Sequence, residues 1–104
     1  MAKAFIHLII QVMSEKDMIF KVWGLSTGDS TRIIEKVCPE TLEKSLLTIH
    51  RYLCFLFPQE EVRNNWMRRS NGAFGGQRPI DLILEEGDRG LVTVENYLAG
   101  AMQR

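Results

Sequence analysis

The chain has 104 residues, of which 45% are hydrophobic and 25% are charged, and its formal net charge is zero. This length suits one domain with a modest core, and the composition is that of a globular protein. A neutral chain has no overall basic field to attract nucleic acid. The apolar run at residues 4–13 is too short to span a bilayer and has no cleavage signature after it. We therefore expect no membrane segment. A disulfide between Cys38 and Cys54 is possible, but a reducing cytoplasm fits the two cysteines better.

The first part of the chain predicts three short helices. Ser14 is followed three residues later by an acid, which is typical of a helix N-cap, and Gly24 should end that helix. Ser26 or Thr27 can cap the next helix, which continues to about Val37. Before them, apolar residues repeat at helical spacing, although their Ile and Val content leaves a strand as an alternative. These residues are Phe5, Leu8, Ile9, Val12 and Met13.

The longest and most apolar predicted helix covers residues 40–57, with Pro39 placed to start it and Pro58 to end it. Its apolar residues repeat at four and three positions, the spacing of a seam that faces another helix. They are Leu42, Leu46, Ile49, Leu53 and Leu56. Further apolar residues widen this surface beyond one seam, so we expect the helix to be the spine of the fold and the chain to form a homodimer. Cys54 should be a buried thiol.

The last part of the chain alternates helices with glycine-rich bends. A helix at 59–69 should carry Trp66 into the core and end near Gly72. A bend follows, Pro79 should begin a short helix, and Asp88 can cap the last one. The stripe of the last helix is Leu91, Val94, Leu98 and Met102.

Together these patterns predict an all-α fold of about six helices around the long central helix. Residues 1–57 would form an N-terminal helical region and residues 58–104 the glycine-rich region, with both in one compact domain.

The glycine-rich region resembles a known family in the order and spacing of its residues. Those that carry the resemblance are Trp66, Asn71, Phe74, Gly75, Gly76, Arg78, Pro79, Ile80, Asp81, Leu82, Gly90, Leu91, Val94, Tyr97, Leu98 and Gly100. The family is the toxin-binding domain of Xre/MbcA/ParS-type antitoxins, the partners of RES-domain toxins that consume NAD. A looser resemblance extends back to the segment 23–26.

The resemblance implies that this chain is an antitoxin of a bacterial type II toxin–antitoxin system. It would bind a RES-type toxin and cover that enzyme's NAD site. Carried onto this chain, the toxin-binding residues are Gln77, Arg78, Glu95, Asn96, Leu98, Gly100, Met102, Gln103 and Arg104. The motif also contains residues that we interpret as its scaffold, namely Trp66, Phe74, Gly75, Gly76, Pro79 and Leu82. An orphan interaction module that has lost its toxin is an alternative.

The residues themselves predict no enzyme, no cofactor and no metal site. His50 and Cys54 lie four positions apart on one helix, but no third group that would orient the histidine is evident from the sequence. The two cysteines and two histidines have no metal-ligand spacing. Four arginines, Arg63, Arg68, Arg69 and Arg78, either form a basic patch or belong to solvated helix ends.

A small DNA-binding regulator is the other alternative, with a degenerate helix-turn-helix at residues 16–36. Gly24 would lie at the turn, and residues 29–36 would form the recognition helix. Phe20 occupies a position where that motif requires a small residue, and Asp29 and Glu35 on the recognition helix would be repelled by phosphate. We therefore expect DNA binding by this chain alone to be weak or absent.

Overall fold

The computed structural model describes residues 14–103, which form six α-helices and two short 3₁₀ turns. No strand occurs within that range, and the predicted all-α class is confirmed. The predicted N-terminal helix at residues 5–13 lies outside the described residues. The helices are α1 (Glu15–Val22), α2 (Thr27–Lys36), α3 (Pro39–Leu56), α4 (Glu60–Asn65), α5 (Pro79–Glu86) and α6 (Asp88–Met102). The 3₁₀ turns are Trp66–Arg68 and Gly72–Phe74.

Serine caps begin the first two helices, as the sequence predicts. The backbone N–H of Asp17 donates to Ser14 Oγ at 3.3 Å, and that of Asp29 donates to Ser26 Oγ at 3.1 Å. Each bond satisfies one of the N–H groups that have no partner inside the helix. Both helix starts are therefore determined locally.

The glycine after α1 closes that helix with a Schellman motif. Gly24 has φ +70°, a left-handed conformation that a side chain would strain. Its N–H donates to Lys21 O at 3.0 Å, and the N–H of Leu25 donates to Phe20 O at 3.1 Å. These are the two bonds of the motif, and the prediction that Gly24 ends the helix is confirmed.

The central helix α3 packs against α1 and α6 and carries the predicted seam. Leu42, Leu46, Ile49 and Leu53 are buried in one cluster with residues of the other helices. Pro39 is the first residue of α3, as predicted. The prediction for Cys54 was wrong, because its thiol is exposed. Cys54 directly follows the buried Leu53, and the next helical position lies about 100° further around the axis.

The helix predicted at 59–69 is shorter than expected. Helix α4 ends at Asn65, and the chain continues as a 3₁₀ turn. A 3₁₀ turn has about three residues per turn instead of about 3.6, so it shifts which side chain faces the core. Met67 is fully buried and Trp66 only partly buried, so the prediction that Trp66 is a core residue needs correction. The fully buried tryptophan is Trp23.

Helices α5 and α6 meet in a close crossing at Gly90. A Cβ atom at that position would lie 2.0 Å from Leu82 O. The bend between the helices depends on Gly87, which has φ +60° and whose added Cβ would lie 2.7 Å from Lys36 O. Glycine at these two positions therefore lets the last helix pack directly on its neighbours.

The prediction that Asp88 caps its own helix was wrong. Gly87 is the N-cap of α6, and Asp88 Oδ1 accepts a hydrogen bond from the backbone N–H of Cys38 at 3.0 Å. Cys38 directly precedes α3, so its N–H has no acceptor inside that helix. The carboxylate therefore joins the start of the last helix to the start of the central one.

Candidate functional site

Four aromatic side chains form a partly buried cluster where α3, the first 3₁₀ turn, the glycine-rich bend and α6 meet. Trp66 stacks between Phe57 and Tyr97, with ring centroids 6.4 and 6.2 Å apart and interplanar angles of 29° and 16°. Phe74 packs edge-to-face against Trp66 and Tyr97, with ring centroids 6.4 Å and 5.1 Å apart. These are favourable aromatic geometries. The cluster gives Tyr97 a fixed position while leaving part of its ring exposed.

The glycine-rich bend is held by Asn71. The Asn71 carbonyl accepts from the N–H of Gly76 at 3.0 Å, and the Asn71 side chain accepts from the N–H of Ala73 at 2.9 Å. Gly75 and Gly76 both have positive φ, at +66° and +87°. The closed bend therefore presents Phe74 to the aromatic cluster. Of the other predicted scaffold residues, Pro79 is buried at the start of α5 and Leu82 is partly buried against the core.

The two predicted toxin-binding residues of the bend have partners within the chain. Arg78 forms a two-point ion pair with Asp81, at 2.7 Å from Nη2 to Oδ1 and 3.0 Å from Nε to Oδ2. This hydrogen bonding raises the pKa of Arg78 and lowers the pKa of Asp81. Gln77 Nε2 lies 3.2 Å from Glu85 Oε2. Both residues therefore fasten the bend to α5, and Arg78 is less free to bind a partner than the sequence indicates.

The predicted basic patch is divided among separate local contacts. Arg63 Nη1 donates to Pro58 O at 2.9 Å, and Arg68 Nε donates to Trp23 O at 2.7 Å. With Arg78 paired to Asp81, three of the four arginines hold neighbouring parts of the fold together. These contacts favour the structural interpretation of the arginines over a phosphate-binding patch.

Three of the seven remaining predicted contact residues lie on the outer side of α6 or just after its end. Asn96, Gly100 and Gln103 are exposed, whereas Glu95 and Met102 are partly buried. Arg104 lies outside the described residues. Leu98 is only 1% exposed and belongs to the core, so a direct contact through its side chain is not compatible with this fold. The sequence pattern placed Leu98 in the apolar stripe of the last helix, whereas the family resemblance made it a contact residue. Its burial with Leu91 and Val94 shows that its side chain belongs to the core.

Beyond its first turn, the exposed face of α6 consists of Val92, Thr93, Asn96, Tyr97 and Gly100, followed by Gln103 just after the helix. None of these side chains is charged, and Val92 and Tyr97 are 52% and 38% exposed. The exposed Arg89 lies one turn before Thr93 on the same side and is the charged residue at the start of this face. Solvated helix faces usually carry charged residues, so this face has the character of an interface. The predicted toxin-binding residues did not include Val92 and Tyr97. The sequence does indicate an uncharged surface here, because Glu95 is the only charged residue between Leu91 and Gln103.

Gly100 is a second unusual feature of this face. A Cβ atom there would meet nothing within 4 Å, so the fold itself gives no steric reason for glycine. Glycine inside a helix costs about 0.5–1 kcal/mol relative to alanine. A partner whose surface approaches the helix backbone closely would supply the missing reason.

The pair of His50 and Cys54 has an orienting group that the sequence did not reveal. The indole N–H of the buried Trp23 donates to His50 Nδ1 at 3.1 Å, and His50 Nε2 lies 3.5 Å from Cys54 Sγ. Because Nδ1 is the acceptor, the neutral ring carries its proton on Nε2. That nitrogen donates to the sulfur and is not free to accept the thiol proton, so the pair does not have the arrangement of a nucleophile and its base.

Acid should destabilise the fold through His50. Burial, followed by the positive charge of Arg63, lowers the pKa of His50. The unfolded chain, with a histidine pKa of about 6.5, therefore takes up this proton first as the pH falls. The contribution of His50 is fully present above that pH and is lost as the pH falls through the lower pKa of the folded state.

Urea unfolding near pH 8 and near pH 5 measures this effect, with His50→Gln as the control that cannot titrate. The loss of unfolding free energy between the two conditions should be larger for the parent than for the variant. Equal losses would show that the Trp23–His50 contact does not resist protonation.

The helix-turn-helix interpretation gains no support from the first two helices. Phe20 is buried, and together with Leu25 and Ile34 it lines an open cleft of about 350 Å³ between α1 and α2. The exposed surface of α2 mixes Arg32 and Lys36 with Glu35.

Among the described residues, no His, Cys, Asp and Glu side chains are grouped to hold a metal ion. No described helix is long and apolar enough to cross a membrane.

The site described above lies inside a stretch that matches a known family. Residues 55–101 match the model of the antitoxin Xre/MbcA/ParS C-terminal toxin-binding domain. That stretch is similar to a domain that binds toxins. It covers slightly less than half of the chain, and it contains the whole aromatic cluster, the glycine-rich bend and most of the exposed face of α6. No curated protein and no solved structure matches the chain.

Proposed function

We propose that this protein is an antitoxin that binds a protein toxin through the exposed face of α6. Two independent features coincide and support the proposal, namely the match to a toxin-binding domain and the exposed surface of α6. The stretch that matches the toxin-binding domain contains most of the exposed, uncharged residues of α6, and the fold has no steric need for glycine at Gly100 within it. The function of such a protein is binding, and it needs no catalytic residue of its own.

The toxin that we propose is a RES-type enzyme that consumes NAD, and the end of α6 would cover its NAD site. Gly100 gives the helix a narrow side, and Asn96 and Gln103 offer neutral hydrogen-bonding groups to a buried site. Met102 is partly buried and would contribute from the edge of this surface. A contact through the part of this face from Val92 to Gln103 avoids the cost of desolvating charged side chains, because its exposed residues are uncharged.

The two regions of the chain would then have different roles. Residues 58–104 would carry the toxin-binding surface, and residues 1–57 would support it, with α3 holding α6 in place. The aromatic cluster holds Tyr97 at the edge of the exposed face, and we add Val92 and Tyr97 to the proposed contact residues. Leu98 would act from inside by positioning the helix.

Replacing Gly100 with arginine should abolish neutralisation without unfolding the protein. The position is exposed and has free space around it, so the fold accepts the side chain, whereas a closely packed partner does not. The measurement is growth of cells that express the product of the neighbouring open reading frame as the candidate toxin, together with each antitoxin variant. The matched control is Gly28→Arg on α2, also an exposed helical glycine, whose added Cβ would meet only Ser26 Oγ at 3.9 Å.

Gly28→Arg should rescue growth like the parent, and both variants should melt within a few degrees of it. Rescue by Gly100→Arg would place the toxin contact elsewhere. Cellular NAD measured in the same cultures tests the toxin class separately. Growth arrest without loss of NAD would reject the RES-type assignment but leave the antitoxin role intact.

A further inference from the structure

The exposed face of α6 is too small to hold a protein partner by itself. From Val92 to Gln103 it is about 16 Å long and, as for any single helix, about 10 Å wide. A stable protein–protein interface buries about 800 Å² on each partner, which is several times the area of such a strip. A toxin bound to α6 must therefore also contact a neighbouring surface of this chain.

A row of stacked rings leads from the edge of the α6 face to the corner between α3 and α4. Tyr97 stacks on Trp66, and Trp66 stacks on Phe57, with ring centroids 6.2 and 6.4 Å apart. Phe57 directly follows α3 and lines an open cleft of about 300 Å³. We name this the α3–α4 cleft, and its lining residues are Leu56, Phe57, Pro58, Gln59 and Val62. Only Gln59 is polar among them, so the cleft suits an apolar side chain.

The α3–α4 cleft lies entirely within residues 55–101, the stretch that matches the toxin-binding domain. A different apolar cleft, between α1 and α3, is lined by Met18, Val22 and Leu47 among others and lies outside that stretch. The stacked rings and the family match therefore both connect α6 with the α3–α4 cleft.

Local hydrogen bonds hold the corner between α3 and α4 in one shape. The N–H of Phe57 donates to Leu53 O at 2.9 Å and closes α3. Arg63 Nη1 donates to Pro58 O at 2.9 Å and ties α4 back to the corner. The cleft is therefore formed before a partner arrives, which reduces the entropy lost on binding.

Negative charge lies beside the α3–α4 cleft. Glu60 and Glu61 directly follow Gln59, and both are exposed. They occupy the first turn of α4, where the helix dipole favours acids. Arg63, the basic residue of this helix, is bound to Pro58 O. A partner surface with basic residues around an apolar group is therefore complementary to this corner.

We infer that the α3–α4 cleft is a second part of the toxin-binding surface and receives an apolar side chain of the toxin that is flanked by lysine or arginine. The inference rests on the proposed function, because it extends the contact made by α6. The toxin would cover the exposed parts of Tyr97, Trp66 and Phe57 between the two sites. Contact at the cleft would add affinity and would discriminate against toxins without the matching basic and apolar groups.

Charge reversal of the two acids tests this surface without altering the core. Glu60→Lys combined with Glu61→Lys should slow association with the purified product of the neighbouring open reading frame by about tenfold at low salt. The salt dependence of the association rate should also weaken. Surface plasmon resonance at two salt concentrations measures both effects.

The matched control for the charge reversal is Glu40→Lys combined with Glu43→Lys. Both acids are exposed near the start of α3, and Glu43 is about 20 Å along the helix from Leu56. This variant should associate like the parent. The same loss in both double variants would show a general effect of net charge and would overturn the inference.

Val62→Asp tests the apolar part of the contact. Its carboxylate would face the cleft and would be buried without a partner by the toxin side chain, so the affinity should fall by at least about tenfold. Ile34→Asp is the control, because Ile34 is an exposed apolar residue on α2. Thermal melts followed by circular dichroism verify that both variants are folded. Unchanged affinity for Val62→Asp would reject the cleft as a contact.

Photo-cross-linking identifies the toxin residue without relying on loss of binding. p-Benzoylphenylalanine in place of the exposed Gln59 should form a covalent adduct with the toxin on irradiation. The same group in place of Thr41, which is exposed at the start of α3, should form none. Mass spectrometry of the linked peptide should find an apolar residue with lysine or arginine beside it. A linked peptide without basic residues would contradict the inferred chemistry.

These results separate the inference from the proposed function. Loss of binding by Gly100→Arg together with parent-like binding by the cleft variants would reject the inference and leave the α6 contact intact. Weakened binding by the cleft variants together with parent-like binding by Gly100→Arg would support the cleft and reject the α6 contact. A parent that does not bind the product of the neighbouring open reading frame would reject both.

Discussion

Replacing Gly90 with alanine should be among the most destabilising single substitutions in this chain. The added Cβ would lie 2.0 Å from Leu82 O, 2.4 Å from Leu82 C and 2.8 Å from Ile83 N. All three atoms belong to the backbone of α5, so no side-chain rotation relieves the overlap. Helices α5 and α6 would have to move apart, and we expect a loss of roughly 3–5 kcal/mol. Since a domain of this size is stable by about 5–15 kcal/mol, much of its stability would disappear.

Gly100→Ala is the control for this prediction, because it introduces the same methyl group into the same helix. Its Cβ would meet nothing within 4 Å, so the change should be neutral or stabilise the helix by up to about 1 kcal/mol. Urea unfolding followed by circular dichroism measures both variants. If Gly90→Ala unfolds at the same urea concentration as the parent, the close crossing of α5 and α6 is not present in solution.

Trp23→Ala should have a comparable effect for a different reason. Trp23 is fully buried, its indole N–H donates to His50 Nδ1, and its carbonyl accepts from Arg68. Truncation would leave a large cavity next to the central helix and would remove the donor that holds His50. We expect a loss of roughly 3–5 kcal/mol, as is typical of buried tryptophan and phenylalanine truncations.

Two further variants separate the contributions to this loss. Trp66→Ala should be less damaging, because Trp66 is partly exposed, and its effect should appear more in toxin binding than in stability. Trp23→Phe keeps much of the buried volume but lacks the N–H, so it should cost about 1 kcal/mol from the hydrogen bond in addition to a small packing loss. Thermal melts compare the three. Equal melting temperatures for Trp23→Ala and Trp66→Ala would contradict the assigned burial.

The features that could be predicted from the sequence are those with local causes. The caps at Ser14 and Ser26, the helix end at Gly24 and the start at Pro39 each depend on a few consecutive residues. The seam of α3 could also be predicted, because its spacing is a property of one helix. The all-α class follows from these local features together.

The features that were missed depend on contacts between distant segments. Asp88 serves Cys38, which is fifty residues away in sequence, and no nearby residue indicates this choice. The exposure of Cys54 depends on which side of α3 the other helices cover. A different kind of miss concerns Trp66, which is only partly buried because α4 gives way to a 3₁₀ turn that buries Met67 instead, and helix ends of this kind are poorly defined by propensities.

The candidate site shows the same division. Asn96, Gly100 and Gln103 were predicted as contact residues from the family resemblance, and the structure exposes all three. The partner of Gln77 could not be foreseen, because Glu85 comes within reach only when the bend folds back on α5. The partner of Arg78 is local, since Asp81 lies three residues later at the start of α5. Val92 and Tyr97 could not be identified as surface residues from the sequence, because their exposure depends on which sides of α6 the other helices cover.

The buried core is shared between the two parts of the chain, which limits where the chain can be cut without unfolding it. Among the described residues, sixteen hydrophobic residues are buried, nine before residue 55 and seven after it. The stretch that matches the toxin-binding domain therefore supplies less than half of the interior that it packs against. Expressed by itself, that stretch would expose the inner sides of α5 and α6 to water. The segment that can be recognised by its sequence is thus shorter than the unit that can fold, and a fragment cut at the recognised boundary would lose the shape on which recognition of its partner depends.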